Sequence, residues 1–253
     1  MRLIGVGVGP GDPELVTLKA ARVLSTADRV FVPVLGTDRP GPAREDPDQS
    51  AAEPGRAETT VAAHTAPERV ERLVFVLDRA QRDGYWAAAG RRVAQWLRET
   101  GGVAAFATIG DPNLYSTFGY LARQVRALVP DVVIETVPGI TAMQALASVS
   151  GTVLAEGREP LVLLPQPDGA DGISAALSEG ATSAALPRNA TVVVYKGGRH
   201  LPAIASAVAA AGREAVLGSH LGLPDERIAA LSTVDGAVPY LSTVLIPAKR
   251  EGE

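Results

Sequence analysis

The chain contains no cysteine. That excludes disulfides, thiolate zinc sites, iron–sulfur clusters and a cysteine nucleophile, and it fits a cytoplasmic setting. Long apolar runs are also missing. No stretch approaches the ~20 residues of a membrane-spanning helix, and the first residues show no charged segment leading into a long apolar one. The expectation is a soluble cytoplasmic protein without a membrane partner. Positive charge is not in excess either: the formal net charge is −4, so the basic footprint of a general nucleic-acid binder is lacking. His64, His200 and His220 stand far apart, without a His-x-x-x-His pair or a carboxylate at ligand spacing, so no metal site is expected. Each histidine reads as solvent-facing or as a cap.

Several familiar ligand motifs fail as well. The glycines at 5, 7, 9 and 11 look like a dinucleotide fingerprint, but from Gly5 the third glycine falls at Pro10 and from Gly7 at Asp12. There is no G-x-x-x-x-G-K-[ST] phosphate loop. The Gly-x-Ser-x-Gly elbow of α/β hydrolases is likewise missing.

What is present is an alternation of strand-like and helix-like segments. With 253 residues, 46% of them hydrophobic and 21% charged, the chain is long enough for two modest α/β domains or one large one. The first half reads as a strand at 3–8, a helix at 13–26, and a strand at Arg29-Val30-Phe31-Val32. Residues 38–57, rich in Pro, Ala, Asp, Glu and Arg, read as an inserted loop or flap. Thr65-Ala66-Pro67-Glu68 has capping-box spacing, and Leu73–Leu77 reads as a buried strand. Trp86, Val93 and Leu97 share one helical face. A strand at 103–108 and a helix carrying Leu121, Val125 and Leu128 follow, then a strand at 132–134 and a small-residue helix capped by Thr141. Strands are expected at 161–164, 191–195, 215–218, 227–231 and 242–246, a helix near 200–211, and a hairpin turn at Asp235-Gly236. The fold class is therefore α/β, with a parallel N-terminal domain (1–137) and a mixed-sheet C-terminal domain (138–253).

Three glycine-rich junctions sit just after strands: Gly11-Asp12-Pro13, Gly110-Asp111-Pro112 and Val137-Pro138-Gly139-Ile140-Thr141. Ligands of open α/β sheets collect at such strand ends, where tight turns bring backbone N–H groups close to a bound molecule. At the first junction Asp12 suits a helix N-cap and Pro13 the first helical position, with Leu15, Leu18 and Ala21 continuing at helical spacing. Capping alone would also account for that turn.

These residues resemble the tetrapyrrole (corrin/porphyrin) methylases. The resemblance rests on Gly5-Val6-Gly7-Val8-Gly9-Pro10-Gly11-Asp12-Pro13 with Leu15-Val16-Thr17-Leu18-Lys19-Ala20, on Gly110-Asp111-Pro112, and on Val137-Pro138-Gly139-Ile140-Thr141-Ala142. Three further segments are similar to the branch of that family that methylates C20 of precorrin-2: Thr108 to Thr117, Glu156-Gly157-Arg158-Glu159-Pro160-Leu161, and Pro239-Tyr240-Leu241-Ser242-Thr243. The likeness spans nearly the whole chain apart from 38–57.

The resemblance implies a homodimer whose two α/β domains hold S-adenosylmethionine in the cleft between them, with precorrin-2 as methyl acceptor in cobalamin synthesis. It implies cofactor contacts at Gly9 and Pro10, at Ile109, Gly110, Asp111 and Leu114, at Thr141 and Ala142, and at Gly218. Ser116 and Thr117 are assigned to the cofactor too, or else cap the next helix. The Tyr-Met-Gly segment of related methylases corresponds to Tyr195-Lys196-Gly197, so a lysine stands where a methionine would pack on the cofactor. Methyl transfer from a sulfonium releases a neutral thioether, so positioning can carry much of the rate. Tyr240 is the candidate for proton handling, or an edge aromatic with a hydrogen-bonded hydroxyl. Pro33 stands where uroporphyrinogen-type relatives have an Asp, which argues against that activity. Arg39, Arg44, Arg56, Arg158, Arg188 and Arg199 could meet the carboxylate arms of such a substrate, although balancing Glu45, Asp46, Asp48 and Glu53 suffices for most of them. Alternatives are the cobalt form of the substrate, another methylase of the superfamily such as a diphthine synthase or a ribosomal-RNA ribose methylase, and a non-catalytic cofactor-binding module.

Overall fold

The computed structural model describes residues 1–36, 54–76, 79–165 and 190–250. They form two compact units, Met1–Thr141 and Ala142–Glu253. Most of the 38–57 insertion lies outside the described residues, as do Arg39, Arg44 and Arg188.

The first unit is built on β1 (Arg2–Gly7), β2 (Arg29–Leu35), β3 (Val70–Phe75), β4 (Val103–Thr108) and β5 (Val133–Val137), all parallel, in the order β3-β2-β4-β1-β5. Helices α1 (Leu18–Thr26), α2 (Arg56–Val61), α3 (Arg79–Thr100) and α4 (Phe118–Leu128) complete it. β1 reads as one apolar run because it is buried on both faces. Leu3 joins Phe31, Val93, Leu97, Phe106, Leu121 and Val125 on one face, while its neighbour Ile4 joins Leu24, Val30 and Val32 on the other. Gly5 stands on the Leu3 face, where a Cβ would lie 2.5 Å from the Phe118 ring. On α3, Trp86 stacks on Tyr120 of α4 with ring centroids 4.1 Å apart, and Val93 and Leu97 are fully buried, as the helical face predicted.

Four local expectations are corrected. Asp12 caps a short 3₁₀ turn, Pro13–Leu15, with its Oδ1 accepting from Glu14 N–H at 2.8 Å. α1 starts later under Thr17, whose hydroxyl accepts from Ala20 N–H at 3.2 Å. Leu18 is therefore exposed, and Ala20 and Leu24 face the core. The Thr65 capping box does not form, since Pro67–Arg69 is a 3₁₀ turn that follows Ala66 without a side-chain cap. β2 runs on through Pro33 to Leu35. Its pairing to β4 stops at Phe31, so the N–H that proline lacks costs no rung on that side. Finally, α2 begins at Arg56, inside the segment read as insertion. Its Thr60 hydroxyl reaches Gly11 O at 3.1 Å, and Glu58 holds Arg72 of β3 through two hydrogen bonds of 2.8 and 2.9 Å.

The second unit comprises α5 (Ala142–Ser150), β6 (Leu161–Leu164), β7 (Thr191–Tyr195), α6 (Leu201–Ala210), β8 (Val216–Ser219), β9 (Arg227–Ala230) and β10 (Thr243–Ile246). The sheet order is β6-β7-β10-β8-β9. β6 and β7 are parallel, whereas β10 is antiparallel to both β7 and β8, and β9 is antiparallel to β8. This is the expected mixed sheet with a different closure. Asp235-Gly236 does not turn a β9–β10 hairpin, because β10, with Val244, Leu245 and Ile246 at 0% exposure, belongs in the middle of the sheet. Arg213 fastens this sheet by donating from Nη2 to the carbonyls of Ala190 (2.7 Å), Ile246 (3.2 Å) and Pro247.

Candidate functional site

The strand order brings the three junctions together. β4, β1 and β5 are neighbours in the sheet and parallel, so the turns that follow them emerge side by side at its carboxyl edge. They are joined through backbone. Gly110 N–H donates to Gly9 O at 2.8 Å. A Cβ on Gly7 would lie 2.5 Å from Gly110 O and 2.6 Å from Gly139 N, and a Cβ on Gly139 would lie 2.1 Å from Gly110 O. Contacts that close exclude any residue but glycine at 7 and 139, which sequence reading passed over because only a spatial neighbour reveals the crowding. Gly9 (φ +76) and Gly110 (φ +71) occupy the left-handed region, where an L side chain is strained.

Asp111 ties the second junction to the third. Its Oδ1 accepts from Asn113 N–H at 2.8 Å and its Oδ2 from Gly139 N–H at 3.1 Å. Both carboxylate oxygens thus serve the loops. Ser116 has a comparable duty, accepting from Phe118 N–H at 3.1 Å ahead of α4 and sharing a hydrogen bond with Thr108 at 3.0 Å. Thr117 stands at the N-cap of α4 with no side-chain cap bond. Of the other sequence-derived candidates, Pro10 and Thr141 are buried, and Ile109 and Leu114 are half-buried in the same turns. Tyr115, between Leu114 and Ser116, is held at φ +49 although it is not glycine, an outlier that no sequence pattern announced. Partial burial pushes its phenol above the ordinary value. His64 reaches the first turn, with Nε2 3.1 Å from Pro13 O.

In the second unit, Ala142 opens α5 and packs with Leu146, Val193 and Leu245. Gly218 in β8 is accounted for by that helix, since a Cβ would meet Leu146 at 2.7 Å. Lys196 follows β7 at φ 59 and ψ 30, and its ammonium lies over the Tyr240 ring, 6.0 Å from the centroid. Burial pulls the Lys196 pKa below the ordinary lysine value. Tyr240 sits in the turn before β10, where Ser242 N–H and Oγ–H both donate to Pro239 O, at 3.0 and 2.6 Å. Glu156 to Pro160 also forms a turn. Glu159 accepts from Glu156 N–H at 2.8 Å and from Arg250 at 3.0 and 2.7 Å. That segment therefore holds Arg250, while Arg158 is exposed. Among the described residues no group of three metal-ligating side chains converges, and no helix is long and apolar enough to cross a membrane.

A family model described as Tetrapyrrole (Corrin/Porphyrin) Methylases matches residues 2–235. The chain belongs to this family. Among curated members, the precorrin-2 C(20)-methyltransferase of a Sinorhizobium species is 30% identical over 264 residues, covering 99% of this chain and 96% of that one. A probable cobalt-precorrin-2 C(20)-methyltransferase of Methanocaldococcus jannaschii is 36% identical over 167 residues, 65% of this chain and 64% of its own. Among solved structures, a Thermus thermophilus uroporphyrin-III C-methyl transferase complexed with S-adenosylhomocysteine superposes with a TM-score of 0.60 at 22% identity, covering 97% of each chain. That likeness is one of fold. The family members share the two-unit α/β architecture, and the resemblance read from the junction motifs is confirmed by the match across the chain.

Proposed function

We propose that this tetrapyrrole methylase transfers a methyl group from S-adenosylmethionine to C20 of precorrin-2. The observation that carries the reading is the similarity to the Sinorhizobium C(20)-methyltransferase along 99% of the chain. The Thr108–Thr117, Glu156–Leu161 and Pro239–Thr243 segments support it.

The strand-end turns of the first unit fit an adenosyl group. Around the position of a Cβ on Gly110 the nearest atom beyond its chain neighbours is Thr141 Cα at 3.9 Å, so a ligand can approach the backbone there. Gly9, Pro10, Ile109, Gly110, Leu114 and Thr141 would line the ligand, and Asp111 would act by holding Gly139 and the second turn in register. When bound, S-adenosylmethionine supplies an electrophilic methyl group on a sulfonium. The protein's own task is then positioning, which is worth much of the barrier where little charge develops. The acceptor carbon must also lose its proton, and Tyr240 is proposed to orient that transfer. A neutral phenol is a poor acceptor for a proton on carbon, which makes orientation of a water the suitable role. The same reading carries a cytoplasmic homodimer, to be checked by sedimentation equilibrium.

The test is anaerobic incubation with precorrin-2 and 13C-methyl-labelled S-adenosylmethionine. The expected result is S-adenosylhomocysteine in step with a tetrapyrrole labelled at C20 in the carbon NMR spectrum. Label at another carbon, or no transfer, would overturn it. Transfer to cobalt-precorrin-2 alone would move the reading to the metallated substrate named for the Methanocaldococcus jannaschii relative.

A further inference from the structure

One end of the second sheet gathers residues from strands distant in sequence. β7 and β8 both run antiparallel to β10, and Thr243 at the start of β10 pairs with both Tyr195 and Gly218. The ends of β7 and β8 therefore lie beside the Pro239–Ser242 turn. Two non-glycine residues here occupy the left-handed region, Lys196 (φ 59) and His220 (φ 52). Such strain persists where surrounding structure enforces it, and it concentrates at functional positions.

His220 is explained within its own loop. Its Nδ1 pairs with Asp225, its carbonyl accepts from Leu223 N–H at 2.9 Å, and Glu226 closes the same loop on Gly222 N–H at 2.7 Å. Lys196 differs. Among the described residues no carboxylate stands within ion-pair distance of its ammonium. The side chain is nonetheless half-buried. Its place is enforced from both flanks: Gly197 N–H donates to Ser242 O at 3.2 Å, and a Cβ on Gly198 would stand 2.3 Å from Pro239 O. Residues 196–198 are thus locked onto the 239–242 turn, and the Tyr240 ring forms a floor beneath the ammonium. Tyr240 also lines an open hollow with Gly198, Pro202 and Val238.

A half-buried ammonium that no described carboxylate pairs with is unfavourable, and glycine would take this backbone conformation without strain. Among the described residues, then, nothing answers the charge that this position carries. We propose that Lys196 anchors a carboxylate arm of the tetrapyrrole, with Tyr240 as the wall against which that edge of the macrocycle rests. The inference rests on the precorrin-2 reading above. S-adenosylmethionine also carries a carboxylate, but the tetrapyrrole presents several acetate and propionate arms, and a chain of net charge −4 needs local cations to hold them.

Lys196→Met keeps the length and unbranched shape and so tolerates the same backbone, while removing the charge. It should raise the KM for precorrin-2 by about tenfold to a hundredfold, the scale of one charge-assisted contact, and leave the Kd for S-adenosylmethionine within about twofold by calorimetry. Lys196→Arg should recover most of the loss. The wild-type KM should climb with added KCl more steeply than that of Lys196→Met. An unchanged KM in a Lys196→Met protein that melts like the wild type overturns the proposal, as does a loss confined to S-adenosylmethionine affinity, which would return Lys196 to the cofactor. If the wild type labels a carbon other than C20 while Lys196→Met still raises the tetrapyrrole KM, the anchor stands and the regiochemical reading falls.

Discussion

In the first unit the ends of β4, β1 and β5 meet through backbone: Gly7, Gly110 and Gly139 touch with no space for a side chain, and the Gly110–Gly9 hydrogen bond and the Asp111 carboxylate fix their spacing. In the second unit the ends of β7 and β8 and the approach to β10 present side chains instead, a lysine over a tyrosine and a histidine paired with an aspartate. The first arrangement makes a surface of fixed shape and little charge, suited to gripping a neutral ring system. The second makes a charged and adaptable surface, suited to the arms of a polyanion. Under the proposed function, the cofactor would rest on the first arrangement and the arms of the tetrapyrrole on the second.

The comparison breaks most visibly at Gly139. Gly139→Ala forces a Cβ against Gly110 O, a backbone atom with nowhere to move, and should cost about 2–4 kcal/mol in urea unfolding together with cofactor affinity. Gly101→Ala serves as the control. It has a left-handed φ (+67), which Gly139 does not, and meets nothing within 4 Å, so only the conformational cost of about 1–2 kcal/mol is expected. Equal losses at the two sites would show that close contact between the turns is not what restricts them.

A smaller effect is expected from Asp111→Ala, which releases Asn113 and Gly139 N–H groups without adding a clash. Stability should fall by about 1–2 kcal/mol, and the calorimetric Kd for S-adenosylmethionine should rise about tenfold. Unchanged affinity would make Asp111 only a cap. In the second unit, Tyr240→Phe should lower kcat by about tenfold with S-adenosylmethionine affinity intact, and a wild-type kcat would remove the hydroxyl from the proton path.

The least effect belongs to Glu159, which precedes the start of β6 and so lies at the opposite end of the second sheet from Lys196. Arg250 and the Glu156 N–H hold its carboxyl below the ordinary glutamate value of about 4.5. Its contribution is complete above that value and is lost as pH falls through the lower folded-state pKa. Glu159→Gln should therefore melt slightly below wild type at neutral pH, and the two curves should converge in acid. A gap that persists at the acid end would assign the effect to packing rather than charge.

Much of this was legible in the chain. The buried β1 and β4 runs, the Trp86–Val93–Leu97 face and the three strand-end glycine turns each follow from a local pattern. Helix starts were less legible, because Asp12 and Thr17 are both good caps and the chain uses them for different turns. The position of β10 could not be read at all, since a short apolar strand pairs equally well with its neighbour in sequence or, as here, with β7 and β8. Tyr115 and His220 gave no signal, because left-handed backbone at a non-glycine residue is imposed from outside.

The sequence by itself determined the α/β alternation, the location of the turns and, through motifs spread over most of its length, the methylase family. Tertiary structure decided that β4, β1 and β5 are adjacent, that Gly7 and Gly139 admit no side chain, that both oxygens of Asp111 are occupied, and that Lys196 lies over Tyr240. Periodicity and capping are properties of neighbours along the chain and can be read there. Steric exclusion and the pairing of a charge depend on atoms that only the folded sheet brings within contact distance.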